Sequence, residues 1–307
     1  MQSTNSSAKT TIGILYCGDM GSAFAKLLHN GGLRVVTTCE GRSRTTQEQA
    51  LASGVEILPS LNDVVAQSHV VFSIVLPSAA VDVARQYAGR HSVRPRDSVF
   101  IDANSIGMET IAEIERLMSG LNIPLVDASF HGLAHRLEDL SVLHVSGPEA
   151  RSVEALCQDL LRVSWLGERI GSASVMKQLM SAISKGLAGL FTEVGVVAEK
   201  ADMLEPFLRN CQSFYPDLMT IIERILPTYP RHAARRLGEL REIEQSGRSF
   251  QLRLGMAHEA GRWVQLISSL QWEQLNGGCS YNVPTIIRSV ANACPHENLS
   301  SKHRRFE

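Results

Sequence analysis

The sequence predicts a doubly wound, mostly parallel α/β domain followed by an all-α domain with a long central helix. In the first half, short apolar runs alternate with amphipathic segments, which is the pattern of repeated βαβ units. After Gly171 the apolar residues recur almost entirely at helical spacing. The predicted organisation of the 307-residue chain is a disordered leader (1–9), an α/β domain (10–170), a helical domain (171–294) and a flexible tail (295–307).

The first half contains short runs that are apolar enough to be buried strands. They lie at residues 11–16, 34–39, 55–58, 70–76, 98–102, 123–128 and 142–146. Helical segments separate most of them, at 20–30, 46–52, 61–66, 79–88 and 108–118. A parallel sheet built in this way binds ligands at the carboxyl ends of its strands.

The second half is predicted to contain one long helix and several shorter ones. Apolar residues at a helical period run from 174 to 201, and further helical segments lie at 218–225, 232–245 and 252–271. Residues 275–281 are predicted to form a loop because they combine glycine, serine and asparagine.

Composition argues against several classes of function. The formal net charge is -1 and the pI is about 6.8, so nothing indicates a nucleic-acid or anionic-membrane partner. No stretch looks long and apolar enough to span a bilayer, which takes about 20 residues. The cysteines form no C-x-x-C pair, and His131 and His135 lack a third ligand at metal-site spacing. We therefore expect a cytoplasmic protein with reduced thiols and no metal.

The first predicted strand leads into a glycine-containing turn and then a helix. Gly18, Asp19, Met20 and Gly21 form this turn, where the backbone can approach a pyrophosphate and the helix N-terminus can bind it. Gly18 and Gly21 occupy the second and third places of G-x-G-x-x-G, and Tyr16 occupies the first. We expect Tyr16 to impair the turn, because a bulky residue lacks the freedom of glycine at positive φ. The position of the turn favours a Rossmann dinucleotide site.

The end of the second strand indicates which dinucleotide binds. Glu40 is placed to hydrogen-bond the ribose hydroxyls of NAD, whereas Arg42 and Ser43 suit the 2′-phosphate of NADP. Both signals are present. We favour NADP(H), because a guanidinium beside a phosphate forms a charge-assisted pair, and keep NAD(H) as the alternative.

Six segments occur in the order found in one family of enzymes. They are IGILYCGDMG, EGRS, SIVLP, DANS, VDASFHG and GSASVMK. Over residues 11–270 the chain resembles the 3-hydroxyisobutyrate and 6-phosphogluconate dehydrogenases, and its helical half resembles a phosphogluconate-dehydrogenase-like subgroup of undefined substrate.

The resemblance implies roles for individual residues. Leu76 and Pro77 match a turn that passes over the cofactor, and Asn104 with Ser105 matches a pair near the nicotinamide and the substrate. Lys177 matches the catalytic lysine and is our candidate general acid/base. The candidate substrate contacts are Ser129, His131, Gly132, Ser181 and Glu239; Ser181, one helical turn after Lys177, could equally serve helix packing.

The resulting prediction is an NAD(P)-dependent oxidoreductase that transfers a hydride between nicotinamide and a small hydroxy-acid or carbonyl substrate. Ala173, Met180 and Gly238 replace residues usual in the family, so the reaction type transfers better than the substrate. Two alternatives stay open. One is an imine reductase on the same fold, although such enzymes usually lack the lysine. The other is a catalytically inactive nucleotide-binding or scaffold protein. By analogy with the family, we expect a homodimer.

Overall fold

The computed structural model describes residues 10–272 and 281–294, which form two compact units. The first contains the chain through Met180 together with Gln245–Leu252, and the second contains Ser181–Glu244 and the chain from Arg253 onward. The first unit therefore extends past the predicted boundary near residue 170, because it includes the first turns of the long helix. The predicted leader, the tail and nearly all of the predicted loop at 275–281 lie outside the described residues.

The first unit is built on one eight-stranded sheet with the order β3-β2-β1-β4-β5-β6-β7-β8. Its strands are β1 (Thr11–Leu15), β2 (Arg34–Thr38), β3 (Glu56–Leu58), β4 (Val70–Ser73), β5 (Val99–Asp102), β6 (Leu125–His131), β7 (Val142–Ser146) and β8 (Arg162–Trp165). Neighbouring strands are parallel except for the antiparallel pair β6–β7. The strand order reverses between β1 and β4, which is where doubly wound sheets bind ligands. The predicted fold class is confirmed.

Helices cover both faces of this sheet. They are α1 (Asp19–Asn30), α2 (Arg44–Ala52), α3 (Leu61–Gln67), α4 (Ala80–Ala88), α5 (Met108–Ser119), α6 (Leu137–Leu140), α7 (Ala150–Cys157) and the start of α8 (Ser172–Lys200). Ile12 and Ile14 of β1 pack into one core cluster with Phe24, while Leu15 packs into the other with Tyr87. A strand buried on both faces explains why the β1 sequence is apolar throughout.

The second unit is helical. After the rest of α8 come α9 (Leu204–Phe214), α10 (Pro216–Ile225), α11 (Tyr229–Ser249), α12 (Gly255–Ser269) and α13 (Val283–Ala293), although the end of α11 belongs to the first unit. A Cβ atom at Gly189 would lie 2.7 Å from the Cβ of Ala260, and one at Gly195 would lie 2.8 Å from Ile287. These glycines therefore allow α12 and α13 to approach α8 closely.

Helix α8 departs from one expectation of the sequence analysis. Its length of 29 residues and a mean hydropathy of 1.2 in its most apolar stretch would allow it, by composition alone, to cross a membrane. Core helices of globular domains have the same properties. Here Ala188, Phe191 and Val196 of α8 are buried in the core of the helical unit.

Candidate active site

The glycine turn after β1 has the form of an anion cradle. The backbone N–H of Gly18 donates to the carbonyl of Tyr16 at 3.0 Å, and no side chain caps α1 at Gly18. A Cβ atom at Gly21 would collide with the Tyr16 carbonyl oxygen, so the turn itself requires glycine there. A Cβ atom at Gly18 would meet nothing within 4 Å. The uncapped helix N-terminus beside this open space fits a pyrophosphate.

Contrary to the expectation from the sequence, Tyr16 does not impair this turn. In the described part of the chain, the non-glycine residues with positive φ are Asn122, Asp202 and Gln251, so the backbone at position 16 does not require glycine. The Leu15–Tyr16 peptide bond is cis. The ring of Tyr16 is buried, with the residue 4% exposed, in the core cluster that also contains Leu15. The guanidinium carbon of Arg42 lies over this ring, 4.2 Å from its centroid.

The three candidate cofactor residues in the loop after β2 differ in their hydrogen bonds to the rest of the protein. Glu40 accepts a hydrogen bond through Oε2 from the backbone N–H of Leu61 at 3.0 Å, which caps the start of α3. Ser43 is the N-cap of α2, and its Oγ accepts from the N–H of Thr46. Arg42 donates through Nε to the carbonyl of Glu40, and no acceptor within the described ranges lies on its terminal NH2 groups. Arg42 is therefore the best placed of the three to bind an external anion.

The ends of β4 and β5 are tied together by Asn104. Its Oδ1 accepts from Val75 N at 2.6 Å, and its Nδ2 donates to Asp102 Oδ2 at 2.8 Å and to Ser73 Oγ at 3.1 Å. Asn104 is buried and its amide is fully engaged, so it fixes these strand ends; its contact with a cofactor stays a prediction. Burial raises the pKa of Asp102 to about 7.

The neighbouring candidates lie at the same strand ends. Leu76 is 59% exposed, which suits an apolar residue that would cover a cofactor, and Pro77 begins a short 3-10 turn. Ser105 is half-buried in the loop after β5.

Two residues of β6 hold the start of α8. Asp127, completely buried, accepts through Oδ2 from the backbone N–H groups of Ala173 and Ser174 and from Ser146 Oγ, at 2.9 to 3.0 Å. Its Oδ1 accepts from Ser174 Oγ at 2.6 Å. Burial raises the pKa of Asp127, and these hydrogen bonds partly offset that effect. Ser129 is also buried and donates to the carbonyl of Ala173, so it helps to anchor the helix; its contact with a substrate stays a prediction.

Lys177 lies one helical turn beyond this anchor. Its Nζ donates to the carbonyl oxygen of Phe130 at 2.6 Å, which places the amine at the carboxyl end of β6. His131 ends β6 and is half-buried. The following Gly132 has φ +140°, and a Cβ atom there would collide with the Ser141 side chain, so this turn requires glycine.

His144 was missed by the sequence analysis. It pairs with Ser129 across β6 and β7, and its buried Nδ1 has no hydrogen-bond partner in the described structure. Burial and the positive charges of Lys177 and Arg162 lower the pKa of His144, which keeps the ring neutral at pH 7. The alternating pattern of residues 142–146, in which His144 and Ser146 share a strand face, was the signal that could have identified it.

Ser181 and Glu239, the remaining candidates, lie in the helical unit and meet at Lys185. The Nζ of Lys185 lies 2.6 Å from Glu239 Oε2 and donates to Ser181 Oγ, and the Lys185 and Glu239 side chains are only 6% and 11% exposed. Burial lowers the pKa of Lys185, partly offset by Glu239. Lys185 was not predicted as a site residue, because its partner Glu239 belongs to α11, far away in the sequence.

Comparisons with known proteins agree with this architecture. Residues 11–161 match the family described as the NAD binding domain of 6-phosphogluconate dehydrogenase, and residues 198–267 match a domain of unknown function, DUF1932. An uncharacterised 28.5 kDa protein from Methanothermus fervidus is 27% identical over 238 residues, which cover 76% of this chain and 89% of that protein.

Solved structures share the fold over most of their length. The conserved protein MTH1747, reported to resemble 3-hydroxyacid dehydrogenases, is 26% identical with a TM-score of 0.67, covering 84% of this chain and 96% of that one. The 3-hydroxyisobutyrate dehydrogenase of Mycobacterium tuberculosis is 16% identical with a TM-score of 0.71, covering 92% and 99%. An imine reductase from Myxococcus stipitatus is 16% identical with a TM-score of 0.58, covering 91% and 99%.

These matches confirm the resemblance noted in the sequence. The N-terminal family is defined by nicotinamide-nucleotide binding, which agrees with the cradle at Gly18 and Gly21. Residues 11–161 are thus matched by the NAD binding domain of 6-phosphogluconate dehydrogenase, and the chain shares the fold of the 3-hydroxyacid dehydrogenases.

Proposed function

We propose that this protein is an NADP(H)-preferring oxidoreductase acting on a small hydroxy-acid or carbonyl substrate, with Lys177 as general acid/base. The observation that carries the proposal is the position of the Lys177 amine. It is held 2.6 Å from the Phe130 carbonyl at the carboxyl end of β6, in the same unit as the uncapped turn that ends β1.

The chain offers one group for each part of the cofactor. The open space at Gly18 and the N-terminus of α1 suit the pyrophosphate, Arg42 suits the 2′-phosphate, and exposed Leu76 suits an apolar contact. When bound, the nicotinamide donates or accepts a hydride.

Lys177 supplies the proton transfer that accompanies reduction or oxidation of the substrate. The Lys177 ammonium group donates to the Phe130 carbonyl, which fixes the position of its nitrogen. A donor so fixed gives its proton to a substrate oxygen in reduction and, as the neutral amine, accepts one in oxidation. As an ammonium, it also stabilises negative charge that develops on that oxygen. Asp127 and Ser129 support this role because they anchor the helix one turn before Lys177.

The test separates binding from turnover. NADPH oxidation is followed with a panel of 3-oxo acids, aldehydes and cyclic imines, for the wild type, Lys177→Met and Lys177→Arg. We expect Lys177→Met to lower kcat by about 10²- to 10⁴-fold while the Kd for NADPH stays within about twofold. Full turnover by Lys177→Met would refute the proposed role of the lysine. Turnover of imines alone would favour the imine-reductase alternative, and binding without turnover of any panel member would favour the inactive one.

We also propose a homodimer formed through α8. Ile183, Leu190, Val194 and Val197 lie along one face of this helix, and Leu190 and Val197 are 50% and 65% exposed. A continuous apolar stripe of this length is unfavourable in water and is typical of an interface. A second copy of this chain presents the same stripe, which satisfies the self-complementarity of a twofold interface.

A further inference from the structure

Tyr16 occupies the place at which the dinucleotide turn ordinarily has its first glycine, yet the turn is formed. The carbonyl of Tyr16 accepts from Gly18 N, and the backbone at position 16 needs no positive φ. The formation of the turn therefore does not explain why this position holds a tyrosine. Its buried ring instead lies beneath the guanidinium of Arg42, with the Arg42 guanidinium carbon 4.2 Å from the ring centroid.

The backbone around Arg42 is fixed independently of the ring. The N–H of Arg42 donates to the carbonyl of Cys39 at 3.1 Å, and Gly41 between them has φ +66°, a conformation that favours glycine. The carbonyl of Arg42 accepts from Gln47 Nε2 at 2.9 Å. The long side chain is the remaining source of freedom, and its contacts are the hydrogen bond from Nε to Glu40 O and the face of Tyr16.

A planar guanidinium lying on an aromatic face is restricted to one plane, which leaves its edge donors available to an anion. The terminal NH2 groups of Arg42 have no acceptor in the described part of the chain, and Glu40 is occupied with capping α3. Burial raises the pKa of Tyr16, so the ring stays neutral and the contact is a cation–π contact rather than an ion pair. Arg90 and Glu40 are the other charged groups close enough to influence the hydroxyl.

We propose that Tyr16 is a specificity-determining positioning residue, which holds Arg42 in the orientation that binds the 2′-phosphate of NADP(H). The proposal rests on the proposed function, since it assumes that Arg42 meets that phosphate. It gives the bulky residue at the glycine position a role beyond filling the core.

The experiment measures the Kd values of NADPH, NADH, 2′,5′-ADP and 5′-AMP for the full chain. Tyr16→Phe keeps the aromatic face and should leave the preference for NADPH over NADH unchanged. Tyr16→Leu and Tyr16→Met keep an apolar side chain without a π face. They should weaken NADPH and 2′,5′-ADP by about 3- to 10-fold and change NADH and 5′-AMP by less than about twofold. Arg42→Ala should weaken NADPH by about 10- to 100-fold and abolish the preference.

The outcomes separate the inference from the function on which it rests. If the wild type does not prefer NADPH over NADH, the NADP assignment of the proposed function fails. If Arg42→Ala leaves a wild-type preference for NADPH intact, Arg42 does not meet the 2′-phosphate, and the inference on Tyr16 is overturned with that premise. If Arg42→Ala abolishes the preference but Tyr16→Leu and Tyr16→Met weaken all four nucleotides equally, or none, the inference on Tyr16 alone is overturned. In the double variant of Tyr16→Met with Arg42→Ala, the proposal expects the nucleotide preference of Arg42→Ala alone, because the ring acts through the arginine. A further change in preference would contradict it.

Discussion

Replacing Asp127 tests whether β6 positions the helix that carries Lys177. Asp127→Ala removes the acceptor of four hydrogen bonds, two of them from backbone N–H groups at the start of α8. The site is completely buried, so no water replaces the lost acceptor. The Ala173 N–H keeps Ser146 Oγ as an acceptor at 3.0 Å, so three donors lose theirs. At the lower end of the cost of about 1–3 kcal/mol for each unpaired buried donor, we expect about 3–5 kcal/mol loss in the free energy of unfolding.

Asp127→Asn is the matched control. Three of the four donors point at Oδ2 and one at Oδ1, so an amide whose oxygen takes the Oδ2 position keeps three hydrogen bonds. The Ser174 hydroxyl then accepts from the amide nitrogen instead of donating. The expected loss is about 1–2 kcal/mol, because the Ser174 hydroxyl has to reorient and one hydrogen bond changes its donor.

Urea denaturation followed by circular dichroism measures both losses, and kcat is measured on folded samples. Lys177 is one turn from the anchor, so Asp127→Ala should also lower kcat more than Asp127→Asn does. Equal stability losses in the two variants, or a loss below about 1 kcal/mol for Asp127→Ala, would show that this carboxylate does not anchor the helix.

Three further predictions concern pH, the helical unit and assembly. The Asp102 pKa of about 7 lies above its ordinary 3.8, so between these pH values the folded protein binds more protons than the unfolded chain, and its unfolding free energy falls as pH rises. The free energy of unfolding of Asp102→Asn, measured by denaturant titration, should therefore rise relative to that of the wild type by up to ~4 kcal/mol as the pH increases from 4 to 7. A difference in unfolding free energy that does not depend on pH would contradict this. Lys185→Met should cost about 1–3 kcal/mol, because Glu239 loses its buried partner but keeps its ion pair with Arg235 at 2.9 Å. In a double-mutant cycle, Lys185→Met with Glu239→Gln should cost less than the sum of the single changes, whereas additive losses would argue against coupling. Leu190→Glu should convert a dimer to a monomer in sedimentation velocity, whereas the control Leu51→Glu, at an exposed residue outside α8, should leave the dimer intact. An unchanged sedimentation coefficient of Leu190→Glu would exclude this face of α8 as the interface.

The fold was predictable where local pattern and burial agree. The strands β1, β4 and β7 are apolar runs bounded by turns, and their predicted positions overlap the observed ones. Strand β8 was missed because it is short and contains Arg162 and Ser164. Helix α13 was missed although its start carries a recognisable signal, an Asn282 cap that accepts from Thr285 N.

The sequence indicated where the candidate residues lie but not how each side chain is used. The turn motif predicted Gly18 and Gly21 after β1, and the family resemblance singled out Lys177. The sequence did not show that Asn104 and Ser129 are fully engaged inside the unit, because their partners come from other elements. His144 was missed because the alternation of residues along β7 was not used to assign side chains to strand faces. The expected effect of Tyr16 was wrong because it assumed a positive φ that this backbone does not adopt.

The proposed function requires the turn after β1 to bind the pyrophosphate of a nicotinamide nucleotide. Gly18→Ala tests this directly, because a Cβ atom at Gly18 meets no protein atom within 4 Å and its φ of -74° suits alanine. The account predicts that Gly18→Ala keeps its unfolding free energy within about 1 kcal/mol, while calorimetric titration with NADPH shows at least about tenfold weaker binding. Wild-type affinity for NADPH in a stable Gly18→Ala protein would contradict the assignment of the site.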